Sequence, residues 1–174
     1  MLEALITSKT RIKLLLKFFL NPNTSAYLRG LATEFDESSN AIRLELNRLE
    51  EAGMIKSIPL GNKKIFQVNK KHVLYNSVQQ IVRKYVGVDQ IMANIVKGLG
   101  NLQLAYLSGD IAKGKNSNII DLVLIGNINR DYLLETIDKA EKASGKKIKY
   151  IIYGQDEAQN LKFDSREFLL IYSK

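Results

Sequence analysis

The stretch SSNAIRLELNRLEEAGMIKSIPLGNKKIFQV, residues 38–68, decides how this chain is read. It opens on Ser38, Ser39 and Asn40, whose short polar side chains can cap the free N–H groups at a helix start. Ile42, Leu46, Leu49 and Ala52 follow at helical spacing and predict one inward face. Gly53 suits the end of that helix because it can take the left-handed conformation of a C-terminal cap. Residues 54–59 and 63–68 then predict a hairpin around a Gly61-Asn62 turn, with Lys63 and Lys64 just past its tip.

Upstream, Ile12, Leu15, Leu16 and Phe19 form an i, i+3, i+4, i+7 stripe that predicts a helix over about residues 8–20. Asn21-Pro22-Asn23 ends it, since proline disfavours helical geometry in the residue before it. Thr24 or Ser25 is expected to cap a second helix with Leu28, Leu31, Ala32 and Phe35 inward, and Asp36-Glu37 turns into the third. Three helices and a basic-tipped hairpin in this order predict a winged helix-turn-helix.

In that geometry the third helix enters the major groove. Ser39, Asn40, Arg43, Leu44, Asn47 and Arg48 lie off its buried stripe. Arg43 can offer paired donors to guanine, and Asn40 or Asn47 can bridge an adenine edge. Arg48, Lys63 and Lys64 are placed to hold phosphates, which position a protein without reading sequence. Glu45, Glu50 and Glu51 would repel phosphate unless they point away.

Charge is distributed accordingly. Residues 1–87 carry 14 Lys/Arg against 7 Asp/Glu, whereas residues 88–174 carry 12 against 11, so nearly all of the net +8 lies in the first half. The absence of cysteine excludes disulfides and thiolate metal sites and fits a reducing cytoplasm. The N-terminal apolar run is interrupted by Arg11, Lys13 and Lys17, which argues for a soluble helix and against a membrane partner. His72, the only histidine, has no second ligand near it in sequence and reads as a surface or packing residue.

Downstream, Leu74, Val78, Ile81, Val82 and Tyr85 predict one amphipathic helix ending at Gly87. Ile91, Met92, Ile95 and Leu99 predict another over about 88–99. A small reading head has little core to offer them, so they are expected to pack on the following domain, on a twin subunit, or on both. A homodimer would set two reading heads on a two-fold-symmetric operator. From Asn101 the pattern changes to strand (102–107), polar loop, and a nearly continuous apolar strand (119–126). A helix follows over 130–143, with Leu133, Leu134, Ile137 and Ala140 inward and Gly145 past its end. Then come a strand (148–153), a short helix within 155–161 and a last strand (167–172).

The run Gly109-Asp110-Ile111-Ala112-Lys113-Gly114, followed by Ile119-Ile120-Asp121-Leu122-Val123, resembles the signature of minimal nucleotidyltransferases. That family carries a Gly-Ser pair at a strand end, then Asp-x-Asp on the next strand and a third carboxylate on a later one. Joined to the N-terminal half, the whole chain resembles bacterial ArsR-like regulators that carry a nucleotidyltransferase-like C-terminal domain. The resemblance implies a nucleotide-binding turn and a two-metal site, but the decisive positions differ. Asp110 stands in place of the serine, Ile119 in place of the first aspartate, and Lys149 or Tyr150 where the third carboxylate is expected. Two ions about 3.5–4 Å apart need several carboxylate oxygens. Asp121 alone cannot supply them.

The expected fold class is therefore α+β: a winged helix-turn-helix at 1–70, a helical connector at 71–100 and a nucleotidyltransferase-like domain at 101–174. The expected function is sequence-specific binding of double-stranded DNA by a cytoplasmic homodimeric transcriptional regulator, with no catalytic residues, no metal and no cofactor. Gly109, Asp110, Lys113 and Asp121 are left as candidates for a pocket taking a nucleotide or another small anion; a scaffold for dimerisation is the other use of that domain. The alternative from another class is an active nucleotidyltransferase whose N-terminal half binds a partner protein or nucleic acid.

Overall fold

In a computed structural model the protein is a mixed α+β chain with two separate sheets; residues 2–96, 98–115 and 117–174 are described, Gln90, Asn94 and Ile95 by backbone alone. It divides into two compact units, Met1–Tyr85 and Val86–Lys174. The two helices expected over 71–100 fall one on each side of that boundary.

The first unit begins with a short α1 (Leu2–Leu5) and α2 (Lys9–Leu15), whose N-terminus is capped by Ser8. The helix then widens into a π-helical turn over Leu16–Leu20. Ile12, Leu15, Leu16 and Phe19 are buried as their spacing predicts. Leu14, Phe18, Leu20 and the aliphatic stem of Lys17 are buried too, so this segment is enclosed on every side. Strand β1 (Ser25–Tyr27) follows, then α3 (Leu28–Phe35) and α4 (Ser39–Glu51). β2 (Ile55–Leu60) and β3 (Lys63–Val68) form the hairpin, and α5 (Tyr75–Val86) runs to the unit boundary.

Several expectations are corrected here. Neither Thr24 nor Ser25 caps α3: residues 25–27 pair with Ile65–Gln67 as a third strand, giving the sheet order β1-β3-β2, and Tyr27 precedes the helix without a side-chain cap. Thr24 is buried instead. Ala52 is exposed because it is the C-cap, where the chain leaves the helix axis, and Gly53 follows at φ +71° as expected of a left-handed stop. Leu74 and Ile81 are exposed, while Val82 and Val86 are buried, so the inward face of α5 is narrower than its apolar stripe.

The second unit contains α6 (Val88–Val96), β4 (Gly100–Ser108), α7 (Gly109–Ala112) and β5 (Ile119–Ile128). These are followed by α8 (Arg130–Ser144), β6 (Lys147–Tyr153), α9 (Gln155–Ala158) and β7 (Leu169–Ser173). The strands make one sheet in the order β6-β5-β4-β7, parallel only between β5 and β6. The β5–α8–β6 crossover explains that pairing, because a parallel neighbour needs a long connection. Leu122–Gly126 are buried, as the continuous apolar run predicts for the central strand.

Ile91 and Met92 of α6 are buried; the expectation for Ile95 lies outside the described side chains. Leu134 is exposed, and Thr136 completes the buried row of α8 with Leu133, Ile137 and Ala140, which is the i, i+3, i+4, i+7 pattern of a helix lying on one sheet face. The segment after β4, expected as an open loop, instead starts with the turn α7, which buries Ile111 and Ala112.

Candidate nucleic-acid interface

The third helix of the sequence reading is α4. Ser38 caps it, its Oγ accepting a hydrogen bond from the Ala41 N–H at 3.1 Å. Ile42, Leu46 and Leu49 anchor it, and the opposite side is open: Asn40, Arg43, Leu44, Asn47 and Arg48 are exposed, and Ser39 is half-buried. A rigid helix thus presents two asparagines and two arginines to solvent.

The glutamates of α4 are disposed of individually. Glu45 is buried, its side chain only 6% exposed, and accepts from Arg11 Nε of α2 at 2.8 Å and from Arg48 Nη1 at 3.1 Å. Burial raises the pKa of Glu45, yet hydrogen bonds from Arg11 and Ser8, with the charges of Arg11 and Arg48, outweigh it and hold the group below its ordinary value. Glu50 faces the hairpin, accepting from the Ser57 hydroxyl and from Lys64 Nζ at 3.0 Å; the Ser57 contact is the main reason that its pKa is lowered. Glu51 stays exposed on the C-terminal turn.

The same arrangement sorts the cations. Arg11, Lys13 and Lys17 do not add to a phosphate-facing surface, because they tie α2 and the π-helical turn after it to their neighbours through Glu45, Glu37 and Glu34. Arg48 and Lys64, expected to hold phosphates, are each joined to a carboxylate of α4, although both remain more than half exposed. Lys63 lies over the Tyr27 ring, 4.7 Å from its centroid, and Arg43 is exposed.

Lys63 and Lys64 also border a groove of ≈ 600 Å³ with Tyr27, Leu28, Arg29, Thr33 and Asn62. Sequence reasoning gave Tyr27 and Arg29 no role. Their place beside the hairpin depends on β1, and three residues are too few to carry a strand signal by themselves.

In the second unit, Gly109 and Asp121 are brought together. A Cβ on Gly109 would lie 2.3 Å from Asp121 Oδ2, and the glycine has φ +66°. Asp121 pairs in register with Ser108 of β4 on one side and Lys149 of β6 on the other. A groove of ≈ 450 Å³ is lined by Ser108, Asp121, Leu122, Ile148, Lys149, Tyr150 and Ile151.

Asp110 and Lys113, expected in the same pocket, do not line that groove. Asp110 is exposed with Lys115 Nζ at 3.9 Å, and Lys113 reaches Glu167 at 3.6 Å; the α7 turn carries both off the β5–β6 rung. Lys149, which the sequence offers beside Lys113 and Lys115 to favour an anion, does line the groove, and Ser108 is what the sequence reading left out. Ser108 is the last residue of β4, and only the strand register sets it beside Asp121.

These residues do not fit a two-metal site. Asp121 is flanked on its rung by a hydroxyl and a lysine, and among the described residues no group of three or more His, Cys, Asp or Glu is gathered where it could hold an ion. His72 accepts from the Leu74 N–H at 3.1 Å through Nδ1, a local turn contact. Among the described residues no helix is long and apolar enough to cross a membrane.

No family model matches the chain, and no curated protein matches it. Among solved structures, reduced HlyU from Vibrio cholerae N16961 is similar to 48% of this chain and 83% of its own, at 11% identity and a TM-score of 0.39. At that TM-score the likeness carries no argument.

Proposed function

We propose that this protein is a sequence-specific DNA-binding transcriptional regulator that works as a homodimer. Its reading head is a winged helix-turn-helix: α4 enters the major groove, and the β2–β3 hairpin lies along the flanking backbone. The observation that carries this reading is the composition of the open side of α4, with Asn40, Arg43, Asn47 and Arg48 exposed beside Lys63 and Lys64 of the hairpin. Most of the carboxylates that would repel DNA there are engaged by the protein itself.

The second unit, in this reading, is a nucleotidyltransferase-like domain that performs no transfer and serves ligand sensing or assembly. The lone Asp121 between Ser108 and Lys149 supports it, because one carboxylate beside a lysine cannot balance two divalent ions.

The test is binding to mixed-sequence duplex DNA across a salt series, with wild type beside the Arg43→Ala/Lys63→Ala/Lys64→Ala variant. Wild-type affinity is expected to fall steeply with salt, and the variant to bind weakly with a slope shallower by about 2 to 3. No binding by either protein at low salt would remove the reading. Asp121→Ala is expected to leave duplex binding unchanged, and nucleotide turnover that depends on Asp121 would overturn the account of the second unit.

A further inference from the structure

We infer that α4 reads a major-groove sequence centred on A·T pairs, and that Leu44 is its specificity-determining residue, packing on a thymine methyl group. The inference rests on the DNA-binding reading above. Three features of α4 support it.

The first is where Leu44 sits. A helix advances about 100° per residue, so Asn40, Leu44 and Asn47 form one outward row, continued by Glu51 at the last residue of the helix, opposite Ile42, Leu46 and Leu49, which are fully buried or nearly so. Leu44 is 51% exposed and is the only large aliphatic side chain on this open side among the described residues. A leucine in the middle of a polar, base-facing row offers one thing to a base edge: a surface that matches the 5-methyl group of thymine.

The second is its neighbours. Asn40 and Asn47 lie within about one turn of Leu44, both exposed and with no side-chain hydrogen bond among the described residues. The asparagine amide pairs with N6 and N7 of adenine. An asparagine on adenine beside a leucine on thymine is a consistent reading of A·T pairs.

The third is the position of the arginines. Arg43 and Arg48 lie about 70° to opposite sides of the row, by the same helical advance. Arg48 is also drawn aside by Glu45, which Arg11 holds from α2. The arginines therefore flank the row, towards the phosphate walls, and the guanine-reading side chain is not at its centre.

The experiment starts by selecting duplexes from a random-sequence pool with wild type. Each thymine of a selected duplex is then replaced by uracil, which removes only the methyl group. Wild type, Leu44→Ala and Leu44→Met are compared on every duplex, with circular dichroism confirming that each variant is folded. One thymine is expected at which loss of the methyl weakens wild type about four-fold, the worth of burying a single methyl. Leu44→Met should keep that dependence, and Leu44→Ala should bind the thymine and uracil duplexes alike.

An equal methyl penalty in wild type and Leu44→Ala, or none at any thymine, overturns the inference. If wild type binds duplex with a steep salt dependence but enriches no sequence, the inference falls while DNA binding stands. If wild type binds no duplex at low salt, both fall.

Discussion

The open side of α4 and the turn between β4 and β5 both carry charged residues of both signs, and they use their carboxylates in opposite ways. On α4, Glu45 is turned inward onto Arg11 and Arg48, and Glu50 is turned onto Ser57 and Lys64. Those two acids become part of the scaffold, and the outermost row is left to asparagine and leucine, with flanking arginines and with Glu51 exposed at its C-terminal end. At the β4–β5 turn the acids stay among the bases: Asp110 beside Lys115, Lys113 beside Glu167, and Asp121 level with Lys149. That surface has no dominant sign. A basic count predicts a basic face only where the fold consumes the acids.

The comparison can be tested first through backbone sterics, where the expected effect is largest. A Cβ at Gly126 would lie 2.3 Å from the Asn101 carbonyl oxygen, at φ +144° and next to the β4 bulge. Gly126→Ala is expected to destabilise the second unit by about 3 kcal/mol or more, because the obstructing atom is backbone. Gly109→Ala meets only a carboxylate end and should cost less. Chemical denaturation of the two variants measures both, and equal losses would show that the β4–β5 turn is as rigid as the strands.

A smaller effect is expected at the inward glutamate of α4. Glu45→Ala leaves Arg11 and Arg48 without their shared acceptor and should cost the first unit about 2 to 3 kcal/mol. Its thermal transition should fall while that of the second unit stays in place. An unchanged transition would mean that Glu45 is a surface charge and the α2–α4 tie is absent in solution.

Smallest is the response to acid. Glu37, Glu45 and Glu50 are all held below their ordinary value of 4.5 in the folded first unit. A depressed carboxylate adds stability that is present above its unfolded pKa and is lost as pH falls through its folded one. The first unit's melting temperature should therefore hold steady from pH 7 to about 5 and decline below about 4.5. In the second unit the lowered carboxylates, Glu141 and Asp164 (to about 2), pair with exposed cations and are screened by solvent. Its acid response should be weaker and should fade with added salt. The reverse order in a pH series of melting curves would break the comparison.

Local periodicity was enough for most elements. The helix over 39–51, the hairpin turn at Gly61-Asn62, the strand around 119–126 and the glycine stops at 53 and 145 were legible because each is set by residues adjacent in sequence. Much of the proposed reading face was legible for the same reason, since burying Ile42, Leu46 and Leu49 exposes Asn40, Arg43 and Asn47.

Sequence alone thus determined most of the order of elements and the face of α4 that turns outward. Tertiary structure decided the rest. Strand β1 exists only because β3 supplies its hydrogen-bond partners, and that pairing brings Tyr27 to Lys63. Which lysines and arginines remain available was settled by contacts such as Arg11–Glu45 and Lys17–Glu34, between residues 34 and 17 positions apart. Ser108, Asp121 and Lys149 became neighbours through strand register. The physical reason is common to all three: periodicity records which side of an element is buried, whereas ion pairs and strand rungs depend on what the rest of the chain places opposite it.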